Sequence, residues 1–174
     1  NWFCYPAASM IEQNSRMAHR ERVYEAFADR SQPFGAAVRS ALDAGCDRLG
    51  VETGFLTRIE DGTQYIEHAV GEYPTIQSGE QCPLEEAYCQ RTIQRDGHLS
   101  VQDAAVSPDV ADVAYDAFGL GSYLGCKVVV DSEVYGTVCF ADEDARERPF
   151  TEAEQLFVEL LARLAGRAIE RRER

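Results

Sequence analysis

The sequence predicts an α+β domain, and three stretches carry that prediction. Residues 123–141 read as a β-hairpin: 123–130 is an apolar, β-branched run, Asp131, Ser132 and Glu133 supply turn chemistry, and 134–141 is the return strand. Residues 51–70 read as a second hairpin around Asp61-Gly62, a two-residue turn signal. A long amphipathic helix opens at Thr151 with the capping box Thr151-Glu152-Ala153-Glu154. Both strands of the 123–141 hairpin are apolar on both faces, so they belong at the centre of a sheet covered on two sides. The rest of the chain must supply their neighbours and their covers.

Taken in order, residues 9–28 predict a helix with few apolar positions. Met10, Met17 and Tyr24 recur seven apart, which suits a narrow contact seam. Ser31-Gln32-Pro33 breaks the chain, and Pro33 fits the first turn of a second helix. Phe34, Val38, Leu42, Cys46 and Leu49 then follow at helical spacing. In the return strand 63–70, strict alternation puts Gln64, Ile66, His68 and Val70 on one face. Pro83 predicts the start of a helix over 83–96, with Gly97 as its stop. Residues 99–103 predict a short strand, and Ser107-Pro108-Asp109 predicts a capped helix over 107–118, closed by Gly119. The helix after Thr151 is expected to bury Leu156, Phe157, Leu160, Leu161, Leu164 and Ala168.

At 174 residues the chain is long enough for one full core, and no apolar run approaches a membrane span. Thirty acidic residues stand against 17 basic ones, a net charge of −13, and Lys127 is the single lysine. That balance argues against direct nucleic-acid binding, because phosphate contacts need a basic face. A carboxylate-rich, lysine-poor surface is expected of a protein that works in concentrated salt, where self-repulsion is screened. The six cysteines (Cys4, Cys46, Cys82, Cys89, Cys126 and Cys139) form no CxxC pair. They are expected to be small buried hydrophobes in a reducing cytoplasm.

The stretch SYLGCKVVVDSEVYGTVCFADEDARERPFTEAEQLFVELLARLAGRAIERR, residues 122–172, resembles the C-terminal half of a GAF domain, the small-molecule sensor module of signalling proteins. The resemblance extends back through GEQCPLEEAYCQRTI at 79–93 to VETGFLTRIEDG near Val51, about three-quarters of the chain. It is similar to GAF domains of sensor histidine kinases and bacterio-opsin-activator-like regulators of halophilic archaea. The resemblance implies a central antiparallel sheet of about six strands. The N- and C-terminal helices would lie on one face, with short helices roofing a ligand pocket on the other. It divides the chain into a linker or signalling helix, 1–30, and a sensor domain, 31–174. It also implies a non-catalytic role within a two-component or transcription-regulating protein, a homodimer joined through terminal helices, and a small-molecule partner of unknown identity.

Under that implied roof, His68, Tyr88, Cys89, Tyr115, Phe118, Tyr123 and Lys127 are the candidate ligand-binding residues, with His68 at the floor. They combine aromatic surface with a few polar groups, as small-molecule pockets do. Within the same resemblance, Cys89 is a candidate for bilin attachment and His68 for a haem ligand. Cys82, Cys89, His68 and His98 are zinc-ligand types, but their spacing matches no zinc pattern. The competing readings are a cysteine-based oxidoreductase of the free methionine sulfoxide reductase type and a ligand-free dimerisation module. Cys82, placed just before the predicted helix at Pro83, would there have a depressed thiol pKa.

Overall fold

The computed structural model describes residues 7–110 and 112–173, with the side chains of residues 7–9 and 113 set aside. Cys4 and the rest of the opening segment therefore lie outside the described residues. Helices α1 (Ala7–Ala28) and α2 (Phe34–Leu49) come first. Gly50 ends α2 in the left-handed conformation (φ 66°), its N–H bonded to the Cys46 carbonyl. Strands β1 (Thr53–Glu60) and β2 (Thr63–Val70) form the first hairpin, and Asp61 (φ 51°) and Gly62 (φ 74°) make its turn. β3 (Gln81–Pro83), α3 (Cys89–Thr92), β4 (Leu99–Val101) and α4 (Asp112–Phe118) follow. The second hairpin is β5 (Ser122–Val130) and β6 (Glu133–Asp142), and α5 (Glu152–Glu173) closes the chain.

The six strands form one antiparallel sheet in the order β3-β2-β1-β6-β5-β4. The expected hairpins, helix side and six-strand antiparallel sheet are all present. The capping box forms as read: the Thr151 N–H donates to Glu154 Oε1 (2.8 Å) and the Glu154 N–H to Thr151 Oγ1 (3.2 Å). α2 and α5 cover one face of the sheet, and α1 lies on α2 and α5 through Val23, Ala26 and Phe27. Both covering helices approach the sheet at a glycine. A Cβ on Gly45 of α2 would meet the Phe140 ring at 2.2 Å, and one on Gly166 of α5 would meet the Val129 carbonyl oxygen at 2.6 Å.

Three local expectations are corrected. The helix predicted over 83–96 is broken into β3, a 3-10 turn at Leu84–Glu86 and the four-residue α3. Pairing of Gln81–Pro83 with β2 and the extended backbone of Ala87 (φ −114°, ψ 151°) override the helix signal of Pro83. Ser107 does not cap a helix; its Oγ accepts from the Asp109 N–H in a local turn, and α4 starts at Asp112. In β2, Leu56 pairs with His68 but Thr57 pairs with Ile66, so Glu67 is an extra residue, a β-bulge. The bulge reverses the alternation after it. Ile66 and Ala69 face the roof, whereas His68 and Val70 face the helices.

Candidate functional site

Beneath the roof the sheet carries a buried polar cluster built from four elements. Tyr123 of β5 is fully buried, and its hydroxyl lies 2.7 Å from Thr92 Oγ1 of α3 and 2.9 Å from Cys139 Sγ of β6. Cys89 Sγ of α3 lies 3.0 Å from Thr137 Oγ1 and 3.6 Å from Cys139 Sγ. Thr137 is in turn 2.6 Å from Thr57 Oγ1 of β1. Strand alternation aims Thr137 and Cys139 at the same face, and the one turn of α3 sets Cys89 and Thr92 side by side above them. Three hydroxyl-bearing strand residues that would ordinarily sit in water are thus paired in the interior.

Aromatic rings close this cluster off. The Tyr88 ring packs edge-on against Tyr123 (centroids 5.3 Å apart) and Phe118 (6.3 Å), and its hydroxyl donates to the Leu120 carbonyl at 2.9 Å. The Tyr73 hydroxyl ties down the same C-terminal end of α4, donating to the Phe118 carbonyl at 2.7 Å. The space left between Phe55, Gln64, Tyr88, Cys89, Phe118 and Leu120 is a cavity of about 10 Å³, room for roughly one water. Gln64, 2% exposed, borders it; its Nε2 reaches Cys82 Sγ at 3.7 Å and its Oε1 has no hydrogen-bond partner. Whichever way the amide is turned, one of its polar ends is left unpaired beside the cavity.

The electrostatics favour neutral groups. Burial pushes Tyr123 and Cys139 well above their ordinary values, and the neighbouring thiols add to the effect. At Cys89 burial also opposes ionisation, but hydrogen bonds from Cys139, Thr137 and Tyr123 favour the anion and leave its pKa lowered. Cys82 is different from the expectation: burial pushes its thiol up to about 11. It sits in β3, followed by a single 3-10 turn and not by the long helix expected at Pro83, so the depressed pKa expected there is corrected.

Of the seven candidate residues, the structure brings together Tyr88, Cys89, Phe118 and Tyr123. Tyr115 is 37% exposed on α4 and outside the cavity. Lys127 is half-buried in a separate open groove with Asp96, Glu159 and Arg163. His68 is on the opposite face, 6.0 Å centroid to centroid from Phe34 and 3.5 Å from Arg39 Nη1. The Glu67 bulge accounts for that displacement. The open cavity expected beneath the roof is instead filled by its own aromatics. Sequence reasoning missed Gln64, Thr57, Thr92, Thr137 and Cys139; the available signal was Gln64 sharing a row with buried Ile66. Among the described residues no group of three His, Cys, Asp or Glu side chains stands close enough to hold a metal ion. No described helix is long and apolar enough to cross a membrane.

A family model described as a GAF domain matches residues 31–170. Among solved structures, the GAF domain of a phosphoenolpyruvate-protein phosphotransferase from Coxiella burnetii superposes with a TM-score of 0.75 at 14% identity, covering 91% of this chain and 95% of that one. The phycocyanobilin-bound GAF domain of a cyanobacterial phytochrome gives 0.72 at 15% identity, with coverages of 90% and 94%. A free methionine-R-sulfoxide reductase from Neisseria meningitidis, in complex with its substrate, gives 0.69 at 14% identity, with coverages of 99% and 98%. At these identities the likeness is one of fold. No match was found among curated proteins.

Proposed function

We propose, from the premise that the chain belongs to the GAF domain family, that it is a non-catalytic sensor of a small, neutral, flat molecule taken up between the sheet and the roof. One observation carries this reading: the Gln64 amide is buried with an unpaired polar end at the edge of the cavity. An unpaired polar group of that kind costs about 1–3 kcal/mol. A ligand that hydrogen-bonds the amide would recover that cost while its ring replaces Phe118 against Tyr88. The cavity is far below the several hundred Å³ of an ordinary ligand site, so uptake requires α4 and its flanking turns to move outward. Binding and roof displacement are then one event, and a displacement is what a sensor must produce. The phycocyanobilin-bound relative is a precedent for a planar ligand on this fold.

On this reading residues 31–174 are the sensor and the 1–30 segment the signalling helix, in a cytoplasmic two-component or transcription-regulating protein. Exposed Met10, Met17 and Tyr24 on α1 support a homodimer seam. Met17→Glu should dissociate such a dimer in sedimentation, and a clean monomer before substitution removes it. The reductase alternative is weaker, because Cys82 is held protonated and Cys89 and Cys139 are sealed from solvent. The acidic surface supports an archaeal, high-salt setting. A melting temperature that rises between about 0.1 and 3 M KCl is expected, and a flat or falling one removes that setting. The sensing role is tested by mass spectrometry of extract released from the purified, denatured chain. A small molecule present at near one per chain, and lost in Gln64→Leu, is the expected result. Equal retention in Gln64→Leu would sink the site as placed.

A further inference from the structure

On a chain of net charge −13, four arginines meet on one groove with no carboxylate lining it. Arg16 and Arg20 come from α1, Arg48 from the end of α2 and Arg163 from α5, around a floor of Ala153, Leu156, Phe157 and Leu160. The groove holds about 390 Å³. Leu156, expected to be buried, is 53% exposed in it. The adjoining cleft shares Arg16 and Arg48, and adds Arg146, Arg148 and His19 against the carboxylates Glu12, Asp47 and Glu154.

The acids present do not neutralise this cluster. Glu154 Oε2 is divided between Arg48 (3.6 Å) and Arg146 (3.7 Å), and its Oε1 accepts from the Thr151 N–H. Asp47 is paired with Arg22. Arg16, Arg20, Arg148 and Arg163 take part in no ion pair among the described residues. The Arg48 side chain is only 10% exposed, so one of these charges is itself largely out of water. Holding like charges together is unfavourable unless an anion joins them. Guanidinium forks match planar carboxylates and phosphates, and the leucine and phenylalanine floor offers an apolar body a place to lie.

We infer that this groove is a second ligand site, for a small organic dianion with a flat apolar body, either a phosphate ester or a dicarboxylate. It is independent of the roof cavity, since it lies on the other side of the sheet. Its occupant would bridge α1 to α5.

The test is isothermal titration of the full chain at the lowest salt in which it stays folded by circular dichroism. The probes are naphthyl phosphate, naphthalene dicarboxylate, inorganic phosphate and naphthol. Saturable one-site binding of naphthyl phosphate or of the dicarboxylate is expected, and which of them binds tighter identifies the head group. Inorganic phosphate should bind at least about tenfold more weakly for want of the apolar contact, a difference of about 1.4 kcal/mol. Naphthol should show no saturable binding. The double variant Arg16→Gln/Arg20→Gln, at exposed unpaired positions, should melt like the parent chain and bind at least about tenfold more weakly. Arg167→Gln, which lines a different groove, should bind as the parent does. Three results overturn the proposal: no binding of either naphthalene probe at millimolar concentration, binding that the double variant leaves intact, or inorganic phosphate binding as tightly as its ester. Self-association that the double variant abolishes would also overturn it, by making the groove a protein interface.

Discussion

The two faces of the sheet are closed by different means. On one side the 16-residue α2 and the 22-residue α5 bury an apolar core that includes Leu42, Leu56, Leu124, Phe140 and Leu161. There Gly45 lets α2 close on the Phe140 ring and Gly166 lets α5 close on the Val129 backbone. On the other side α3 and α4 have four and seven residues, and the buried surface beneath them includes hydroxyls, thiols and an unpaired amide. Long helices bring many mutually supporting contacts and resist local opening, whereas short roof segments open at lower cost. The contrast assigns rigidity to the helix face and adaptability to the roof, the division of labour that the proposed sensing role calls for.

The comparison is sharpened most by matched truncations. Phe157→Ala, on the helix face, should cost about 4 kcal/mol in urea unfolding. Phe118→Ala, which removes a half-buried ring of the roof, should cost roughly half that, because the site can collapse. Equal losses would erase the distinction between the faces. Next in size is Gly166→Val, whose Cβ would press on the Val129 carbonyl oxygen; a loss of about 2 kcal/mol is expected from overpacking. A neutral outcome there would show that α5 is not seated as closely as described. Gln64→Leu should do the opposite of most core changes and stabilise the unliganded chain by about 1 kcal/mol, since it removes an unpaired polar group. A destabilised variant would mean that the amide is satisfied.

The smallest effect is electrostatic. Burial lowers the His68 pKa below its ordinary 6.5, Arg39 and Arg172 add to that, and Glu67 opposes it. The folded chain therefore holds the proton less tightly than the unfolded one. Its stability is undiminished by this group above about pH 6.5 and declines as the pH drops below that value, until the folded group also protonates. His68→Gln should flatten this part of the pH dependence between about pH 7 and pH 5. An unchanged slope would place His68 in solvent.

The helix face was legible in the sequence because its signals are periodic and local. The apolar row on α2 persists over several turns, and the Thr151–Glu154 capping box marks the start of α5 within a single turn. Both hairpins were legible from their turn residues, although Glu133 proves to be the first residue of β6, leaving Asp131 (φ 50°) and Ser132 (φ 68°) as the whole turn. The roof was not legible. Its segments are too short for periodicity to speak, and strand pairing at Gln81–Pro83 prevailed over a helix-start signal. At the site, aromatic residues could be nominated by type. Thr57, Thr92 and Thr137 could not, since nothing local distinguishes a threonine facing a thiol from one facing water.

The bulge at Glu67 carries a consequence for how this fold can diversify. Removing Glu67 would bring Ile66 next to His68 and leave every facing as it is, His68 and Val70 towards the helices and Ala69 towards the roof. Pairing all eight residues of β2 without the bulge would instead turn His68 and Val70 to the roof and Ala69 to the helices, delivering an imidazole to the space beside Tyr88 and Cys89. The same eight residues are thus compatible with two differently equipped pockets, and the bulge selects between them. In aligning this stretch with its relatives, a one-residue gap at Glu67 is silent for the pocket, whereas one elsewhere in the strand is not.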